Sequence, residues 1–216
     1  MAKELEVTLP EGIVVGDDGV PRCWWADSTP AYRAYHDTEW GFPVADDRRL
    51  FEKLCLEGFQ AGLSWLTILR KREAFREVFA NFDPAVVAGF GEDKVTELMN
   101  EVRIVRNRAK IEATINNAQR ALELAEREGS LAHFLWGYEA ERGATALTRA
   151  ELPVTTAESR ALAKELKRRG WRFVGPTTVY AFMEAMGLVN DHLDGCHCHA
   201  QVDLARAQFE RPLSLL

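Results

Sequence analysis

Apolar residues recur at helical spacing through the middle of this chain, and this pattern constrains the fold more than any other feature. In the segment RAKIEATINNAQRALELAERE, Ile111, Ile115, Ala118, Leu122 and Ala125 follow one another at intervals of four, three, four and three. Such spacing lines up one face of an α-helix, so it predicts an amphipathic helix that packs on a core. Because similar spacing recurs along most of the chain, we expect an all-α fold.

Capping residues indicate where several helices begin and end. Asp46 and Asp47 are cap candidates before the apolar pattern of DDRRLFEKLCLEG, and the next segment, AGLSWLTILRKREAFREVFANF, continues the helical spacing. The sequence TTAE, residues 155–158, is a capping-box pattern that predicts a helix running to Gly170. Extended pairing is favoured only near the N-terminus, where LEVTL and GIVVGDDGVP predict a small hairpin or partial disorder.

The length and composition are those of one globular domain. The chain has 216 residues, 47% hydrophobic and 28% charged, which is enough to bury a core of ordinary density. No apolar run approaches the roughly 20 residues that span a bilayer. The first residues are acidic where a secretion signal would be basic and then apolar. We therefore expect a cytoplasmic protein with no membrane partner.

The charge balance is acidic overall but basic in two places. A formal net charge of −6 argues against a protein that binds nucleic acid through bulk positive charge. The segment VRIVRNRAK, however, holds four basic residues and no acidic one, and KELKRRGWR holds five basic residues and one acidic residue. Each segment is either a solvated helix face or part of a surface that contacts phosphates.

Two cysteines and two histidines at opposite ends of the chain form a candidate metal site. Cys23 and His36 are thirteen residues apart, and His192 and Cys196 are four apart. Two nitrogens and two sulfurs complete a tetrahedral zinc set, and a site with four protein ligands is structural rather than catalytic. It would join the N-terminal and C-terminal segments. Spacing alone does not choose among the four neighbouring ligands of CHCH, residues 196–199.

A helical hairpin is predicted near the C-terminus. The segment LKRRGWRFVGPTTVYAFMEAMG places a helix, a short turn and a second helix within about twenty residues. A glycine-bearing turn at a helix N-terminus presents free backbone N–H groups that suit a phosphate, and basic residues precede it. Gly175, Thr177 and Thr178 are the candidate DNA contacts, with a tight interhelical turn as the alternative.

With these pieces, the chain resembles the DNA-3-methyladenine glycosylase I family of the helix-hairpin-helix glycosylase superfamily. The resemblance rests on CWW, AYHDTEWGFP, LFEKLCLEGFQAGLSWLTIL, FVGPTTVYAFMEAMGLVNDH and the following GC, in that order. It implies a helix-hairpin-helix glycosylase-like helical domain over residues 22–199, an N-terminal extension at 1–21 and a C-terminal tail at 200–216. It also implies a monofunctional enzyme that hydrolyses the N-glycosidic bond of 3-methyladenine in alkylated double-stranded DNA, acting as a monomer.

The resemblance also assigns site residues. It implies one structural zinc ion and selects Cys196 from the CHCH run, giving the ligand set Cys23, His36, His192 and Cys196. It implies a flipped base held in a pocket with Glu57 as the catalytic carboxylate and with the aromatic residues Tyr35, Trp65, Trp25, Trp40 and Tyr32. Gly62 and Leu63 match a tip that approaches the gap left by the base; the alternative is that Leu63 belongs to the core.

Three alternatives remain at the level of the sequence. Asp191 occupies a region where many relatives in the wider superfamily carry a catalytic aspartate; next to His192, it is interpreted as supporting the metal ligand or capping a helix. A non-catalytic, zinc-stabilised DNA-binding protein would have no need of Glu57 among aromatic residues. A zinc hydrolase would need an open coordination position, which four protein ligands do not leave.

Overall fold

The computed structural model describes residues 9–140 and 148–212, and helices dominate it. Within these residues the chain forms eleven α-helices, three single turns of 3-10 helix and one two-stranded sheet. The predicted helical class is therefore confirmed, with a small sheet added. The α-helices are α1 (Pro30–Thr38), α2 (Asp47–Gln60), α3 (Trp65–Leu69), α4 (Arg72–Val78), α5 (Pro84–Val87), α6 (Glu92–Asn100), α7 (Arg108–Glu128), α8 (Leu131–Trp136), α9 (Ala157–Arg168), α10 (Pro176–Ala185) and α11 (His199–Gln208).

Helix α2 is the centre of the molecule. It begins at the predicted cap, where the Asp46 side chain accepts a hydrogen bond from the backbone N–H of Arg49. From Leu50 to Phe59 every residue is buried, because α3, α7, α8 and α10 pack around it. A helix buried on all sides is normally apolar throughout. Here the buried stretch also contains charged residues, which the candidate site explains.

The two strands form the predicted N-terminal hairpin. Strand β1 (Ile13–Val15) pairs antiparallel with β2 (Pro21–Cys23), so that Ile13 faces Cys23. Of the predicted LEVTL strand, residues 5–8 lie outside the described residues. The hairpin delivers Cys23, fully buried, to the region where the C-terminal segment lies.

The helical spacing predicted to continue after α2 does so in α3 and α4, after a break between α2 and α3. Gly62 adopts φ +81°, and Ser64 caps a new helix by accepting a hydrogen bond from the backbone N–H of Thr67. A glycine in the left-handed region followed by a serine cap ends one helix and starts another. The break exposes a loop between α2 and α3 and turns Trp65, the first residue of α3, toward α1.

Helices α9 and α10 form the predicted hairpin. The capping box that starts α9 is formed by Thr156 and Ser159, one residue later than predicted from TTAE. The helix ends at Arg168, and Gly170, at φ +83°, begins the turn as expected. Asn117 of α7 holds this turn, because its side chain both donates to the carbonyl and accepts from the backbone N–H of Arg172.

The last described helix, α11, begins directly after Cys198, which packs in the same buried cluster as Cys23 of the hairpin. Its Val202 is fully buried, and Arg206 donates to the carbonyl of Leu188 and to Glu139. This helix occupies much of the segment predicted as a C-terminal tail, and the domain boundary at residue 199 stays a prediction. Among the described residues, no helix is both long and apolar enough to cross a bilayer.

Candidate active site and metal centre

A cavity of about 250 Å³ opens where α1, α2, α3 and α10 meet. The predicted catalytic carboxylate and all five predicted base-binding aromatic residues line it. They are Glu57, Trp25, Tyr32, Tyr35, Trp40 and Trp65. Trp25 precedes α1 and lies in a turn rather than in an α-helix or a strand. Neighbouring rings, rather than a helix face, therefore hold it in place.

The aromatic residues brace one another. Trp25 makes edge-on contacts with Tyr32, Trp40 and the His36 ring, at centroid distances of 5.4, 5.1 and 5.2 Å. The Tyr32 hydroxyl accepts a hydrogen bond of 2.9 Å from the backbone N–H of Leu66, which holds the start of α3 against α1. The cavity wall is therefore a connected set of rings rather than a row of independent side chains.

Two charged residues of α2 face each other inside the cavity. Glu57 and Lys53 are each 5% exposed, and Lys53 Nζ lies 2.7 Å from Glu57 Oε1. The same ammonium donates to the Tyr35 hydroxyl at 2.8 Å and lies 3.2 Å from the centre of the Trp65 ring. Burial lowers the pKa of Lys53, and the Glu57 carboxylate opposes that shift. Burial, reinforced by Glu57, raises the pKa of Tyr35 well above its usual range, so its hydroxyl stays neutral.

A pair of carboxyl groups lies on the α10 side of the cavity. Glu184 of α10 lines the cavity, and its carboxyl group lies close to that of Asp191. Burial raises the pKa of Glu184 well above its usual range, and the neighbouring Asp191 adds to the shift. Tyr180 donates a hydrogen bond of 2.5 Å to Asp191. Asp191, the residue before His192, is therefore held by α10 and does not itself line the cavity.

The four predicted metal ligands come together in the structure. The ligand atoms of Cys23, His36, His192 and Cys196 all lie within 4.8 Å of one another, and all four residues are buried. Cys196 Sγ lies 3.4 Å from His36 Nε2 and 3.5 Å from His192 Nδ1. Two ligands of a tetrahedral zinc ion, one sulfur and one nitrogen, are separated by about 3.5 Å. The spacing of these side chains thus fits a zinc ion.

The second nitrogen of each imidazole has its own acceptor. His36 Nδ1 lies 2.8 Å from the Asp37 carboxylate, and His192 Nε2 lies 2.9 Å from the carbonyl of Trp40. Each of these nitrogens donates, which leaves the lone pair of the other nitrogen directed at the cysteine sulfurs, the arrangement typical of metal-bound histidines. Burial also lowers the pKa of His192, which favours the neutral ring that binds metals.

A second group of potential ligands shares one member with the first. His36, Asp37, His197 and Cys198 lie together, with Cys198 Sγ 3.3 Å from His197 Nε2. Asp37, however, is already neutralised by Arg22, whose Nε and Nη2 donate to its two oxygens at 3.0 and 2.8 Å. A carboxylate paired in this way orients His36 but is a poor additional metal ligand.

The predicted DNA contacts lie in two turns. Leu63, in the loop between α2 and α3, is 43% exposed, so it does not belong to the core. Nothing approaches the Cβ position of Gly62 within 4 Å. At the other turn, Gly175 is the N-cap of α10 without a side-chain cap, and Thr177 and Thr178 follow in the first turn. The first backbone N–H groups of a helix have no partner inside it, so this end is suited to an anion.

Comparison with known proteins identifies the family. The sequence model of the methyladenine glycosylase family matches residues 25–199. The chain belongs to this family. It is 47% identical over 180 residues to DNA-3-methyladenine glycosylase 1 of Escherichia coli (strain K12), with 82% of this chain and 96% of that protein covered.

Solved structures of methyladenine glycosylases have the same fold. A crystal structure of 3-methyladenine DNA glycosylase I, 48% identical in sequence, gives a TM-score of 0.80 and covers 82% of this chain and 99% of its own. A variant of 3-methyladenine DNA glycosylase I in complex with 3-methyladenine, 38% identical, gives a TM-score of 0.78 and covers 81% and 95%. The similarity therefore extends over nearly the whole of each relative.

Reasoning from the sequence missed part of the cavity of this methyladenine glycosylase. Lys53 and Glu184 line it, together with Trp24 and Gln60. The signal for Lys53 was partial, because it lies four residues before Glu57 and that spacing puts both side chains on one face of α2. Glu184 is likewise the one acidic residue in the apolar sequence VYAFMEAMG.

Proposed function

We propose that this methyladenine glycosylase hydrolyses the N-glycosidic bond of 3-methyladenine in alkylated double-stranded DNA and leaves an abasic site. The observation that carries the proposal is the convergence of Glu57, Tyr35 and Trp65 on one aromatic cavity of about 250 Å³. An enzyme that acts on a base within a duplex must first extrude it into such a pocket. The relatives reported above are 3-methyladenine DNA glycosylases, and this similarity supports the same substrate for this chain.

The residue types fit a cationic purine. 3-Methyladenine in DNA carries a positive charge, which electron-rich ring faces and a carboxylate favour over neutral adenine. In this proposal Trp65 stacks on the base, the neutral Tyr35 hydroxyl bonds its edge, and Glu57 supplies the negative charge. Trp25, Trp40 and Tyr32 form the walls that exclude water.

The reaction follows from the charge of the substrate. The bond between C1′ and the base breaks with its electron pair moving to the base, which leaves as neutral 3-methyladenine. A water oxygen adds to C1′ and releases one proton to solvent. Because the leaving group is already activated by its charge, we assign Glu57 to binding the base and to electrostatic stabilisation, with activation of the water as a lesser role.

Two turns are proposed to contact the duplex. Leu63, exposed beyond Gly62, would enter the gap left by the extruded base, since an apolar wedge stabilises an opened base step. The start of α10 at Gly175, Thr177 and Thr178 would bind backbone phosphate through its free N–H groups, independently of sequence. The proposed catalytic domain spans residues 22–199 and acts as a monomer.

We infer that Cys23, His36, His192 and Cys196 hold one zinc ion. The buried N₂S₂ donor set, the spacing of its atoms and the fixed acceptors of both imidazoles support this inference. With four protein ligands the ion would supply structure and no catalytic water. Its role would be to fix α1, and with it the aromatic wall, against the C-terminal segment.

Base release from methylated double-stranded DNA, analysed by chromatography, tests the proposal. Wild-type protein is expected to release 3-methyladenine, and Glu57→Gln to reduce the rate on the order of 100-fold. Glu139→Gln is the control, because Glu139 is a half-buried glutamate that pairs with Arg206 and Arg211 and lines neither cavity. No release by the wild type removes the proposal, and DNA binding without release supports a non-catalytic binding protein. Full excision by Glu57→Gln would remove the assignment of Glu57.

A further inference from the structure

The ammonium of Lys53 contacts the three residues that bind the base in the proposed function. Its ammonium is 2.7 Å from Glu57 Oε1, 2.8 Å from the Tyr35 hydroxyl and 3.2 Å from the centre of the Trp65 ring. The side chain is nine-tenths buried. No catalytic or binding step described above uses this lysine.

The ammonium and a stacked base compete for the same space. A purine ring lies roughly 3.5 Å from the aromatic face on which it stacks, at the heavy-atom contact distance, and Lys53 Nζ already lies at that height above Trp65. A cation on this face is attracted by the ring, and Glu57 binds it through a charge-assisted hydrogen bond. A cationic base would make the same kinds of contact with the same residues, so the two positive groups exclude each other.

Lys53 also has a place to move. A second, smaller cavity of about 30 Å³ adjoins the first, and Glu39 and Glu52 line it together with Lys53. Arg72 and Arg76 also line this cavity and already pair with Glu39 and Glu52, so these carboxylates would hold the ammonium less strongly than Glu57 does. A long, unbranched side chain can rotate to this side when a base occupies the pocket, and the weaker pairing there favours its return to Glu57 when the base leaves.

We propose that Lys53 is a specificity-determining residue of the pocket: its ammonium is an internal competitor that an extruded cationic base must displace from Glu57, Tyr35 and Trp65. While no base is bound, Lys53 keeps the buried Glu57 carboxylate paired, which avoids an isolated buried charge. A base with a positive charge can replace the ammonium at Glu57, whereas a neutral purine cannot. This inference rests on the proposed function, because it concerns the same pocket and substrate.

Equilibrium binding of a permanently cationic base analogue tests the inference. The probe is 3,9-dimethyladeninium, in which a methyl group replaces the sugar, and binding is measured by calorimetry. Lys53→Met removes the charge and keeps an unbranched stem, so it is expected to bind the probe at least about tenfold more tightly than wild type. Lys53→Gln keeps a donor for Glu57 and Tyr35, and it decides the question if Lys53→Met fails to fold. It is expected to tighten binding by a smaller factor.

A surface lysine provides the matched control. Lys94 also pairs with a glutamate, Glu97 at 2.6 Å, and lies 5.5 Å from the Phe90 ring, but it is outside the cavity. Lys94→Met is expected to bind the probe within about twofold of wild type. Unchanged or weaker binding by the folded Lys53 variants overturns the inference. If wild type also excises 3-methyladenine from DNA, that result leaves the proposed function intact; if it excises none, the proposed function itself is wrong.

Discussion

The proposed metal centre and the proposed base cavity share α1, yet their polar groups are partnered in opposite ways. His36 belongs to the first and Tyr35, its neighbour, to the second. In the proposed metal centre the second nitrogen of each imidazole is bonded either to the Asp37 carboxylate, which Arg22 also binds, or to a backbone carbonyl. In the cavity the polar atoms are held by Lys53, which reaches them through a flexible side chain.

This contrast in hydrogen-bond partners suggests different roles for the two regions: the proposed metal centre keeps its partners, whereas the cavity is proposed to exchange Lys53 for a base. Buried polar groups need partners in both regions, because an unpaired buried charge is strongly destabilising. Fixed partners orient ligands, whereas a displaceable partner keeps the site stable when empty and yields to a substrate. Each prediction below tests one side of this contrast.

The largest expected effect is on the fixed region. Cys196→Ser should abolish zinc binding and lower the free energy of unfolding by about 4 kcal/mol or more, the range associated with loss of a metal. Zinc per chain by elemental analysis and unfolding in denaturant measure the two effects. Cys198→Ser is the control, since that thiol is equally buried and adjacent but lies in the second group. Loss of zinc from Cys198→Ser with retention in Cys196→Ser would show that the wrong cysteine is assigned.

A smaller effect is expected from the partner of a metal ligand. Asp37→Asn removes the charge that orients His36 and pairs with Arg22, so zinc affinity should fall roughly 10- to 100-fold. Competition with a chelator measures the affinity. Asp27→Asn, in which the lost carboxylate pairs with Arg33 on the same part of the surface, should leave zinc affinity unchanged. Equal affinities for wild type and Asp37→Asn would contradict a fixed role for this carboxylate.

The smallest effect belongs to the exchangeable region. Tyr35→Phe removes only a hydroxyl, whose hydrogen bond with the charged Lys53 is worth about 2 kcal/mol, so the free energy of unfolding should fall by about half the loss expected for Cys196→Ser or less. Excision of 3-methyladenine should fall about tenfold, because the base loses one hydrogen-bonding group. Tyr138→Phe, at a partly buried tyrosine outside the cavity, should change neither quantity. A large loss of stability in Tyr35→Phe, comparable to that of Cys196→Ser, would erase the contrast between the two regions.

The sequence predicted the helices better than the faces they bury. Helix α7 follows from the spacing of Ile111 and its successors, and Ile111 is fully buried. Leu122, however, is 42% exposed, while Ala121 and Leu124 are buried instead. Adjacent apolar positions on a long helix are distinguished only by the neighbours that pack on it, and a single sequence does not specify those neighbours.

For the candidate site, resemblance to a family located the cavity and the ligand set, and the structure brings those residues together. The charged partners of these site residues were harder to predict. Asp37 and Arg22 are fifteen residues apart in the sequence, and nothing in their spacing predicts that they pair. The pairing is evident only in the fold, where the hairpin brings Arg22 beside Asp37. The Lys53–Glu57 pair has ordinary helical spacing, typical of an exposed ion pair. Only the burial of α2 on all sides shows that this pair lies inside the protein.

The separation of the proposed zinc ligands along the chain also has a consequence for how the protein is made. His36 and Cys196 are 160 residues apart. Closing a contact over such a distance is entropically costly, and contacts of this kind form late in folding. On the ribosome, α1 is synthesised early, whereas the proposed zinc ligands His192 and Cys196 emerge only after every described helix except α11. Because zinc binding is proposed to fix α1, the aromatic wall that α1 carries would reach its final position only near the end of synthesis.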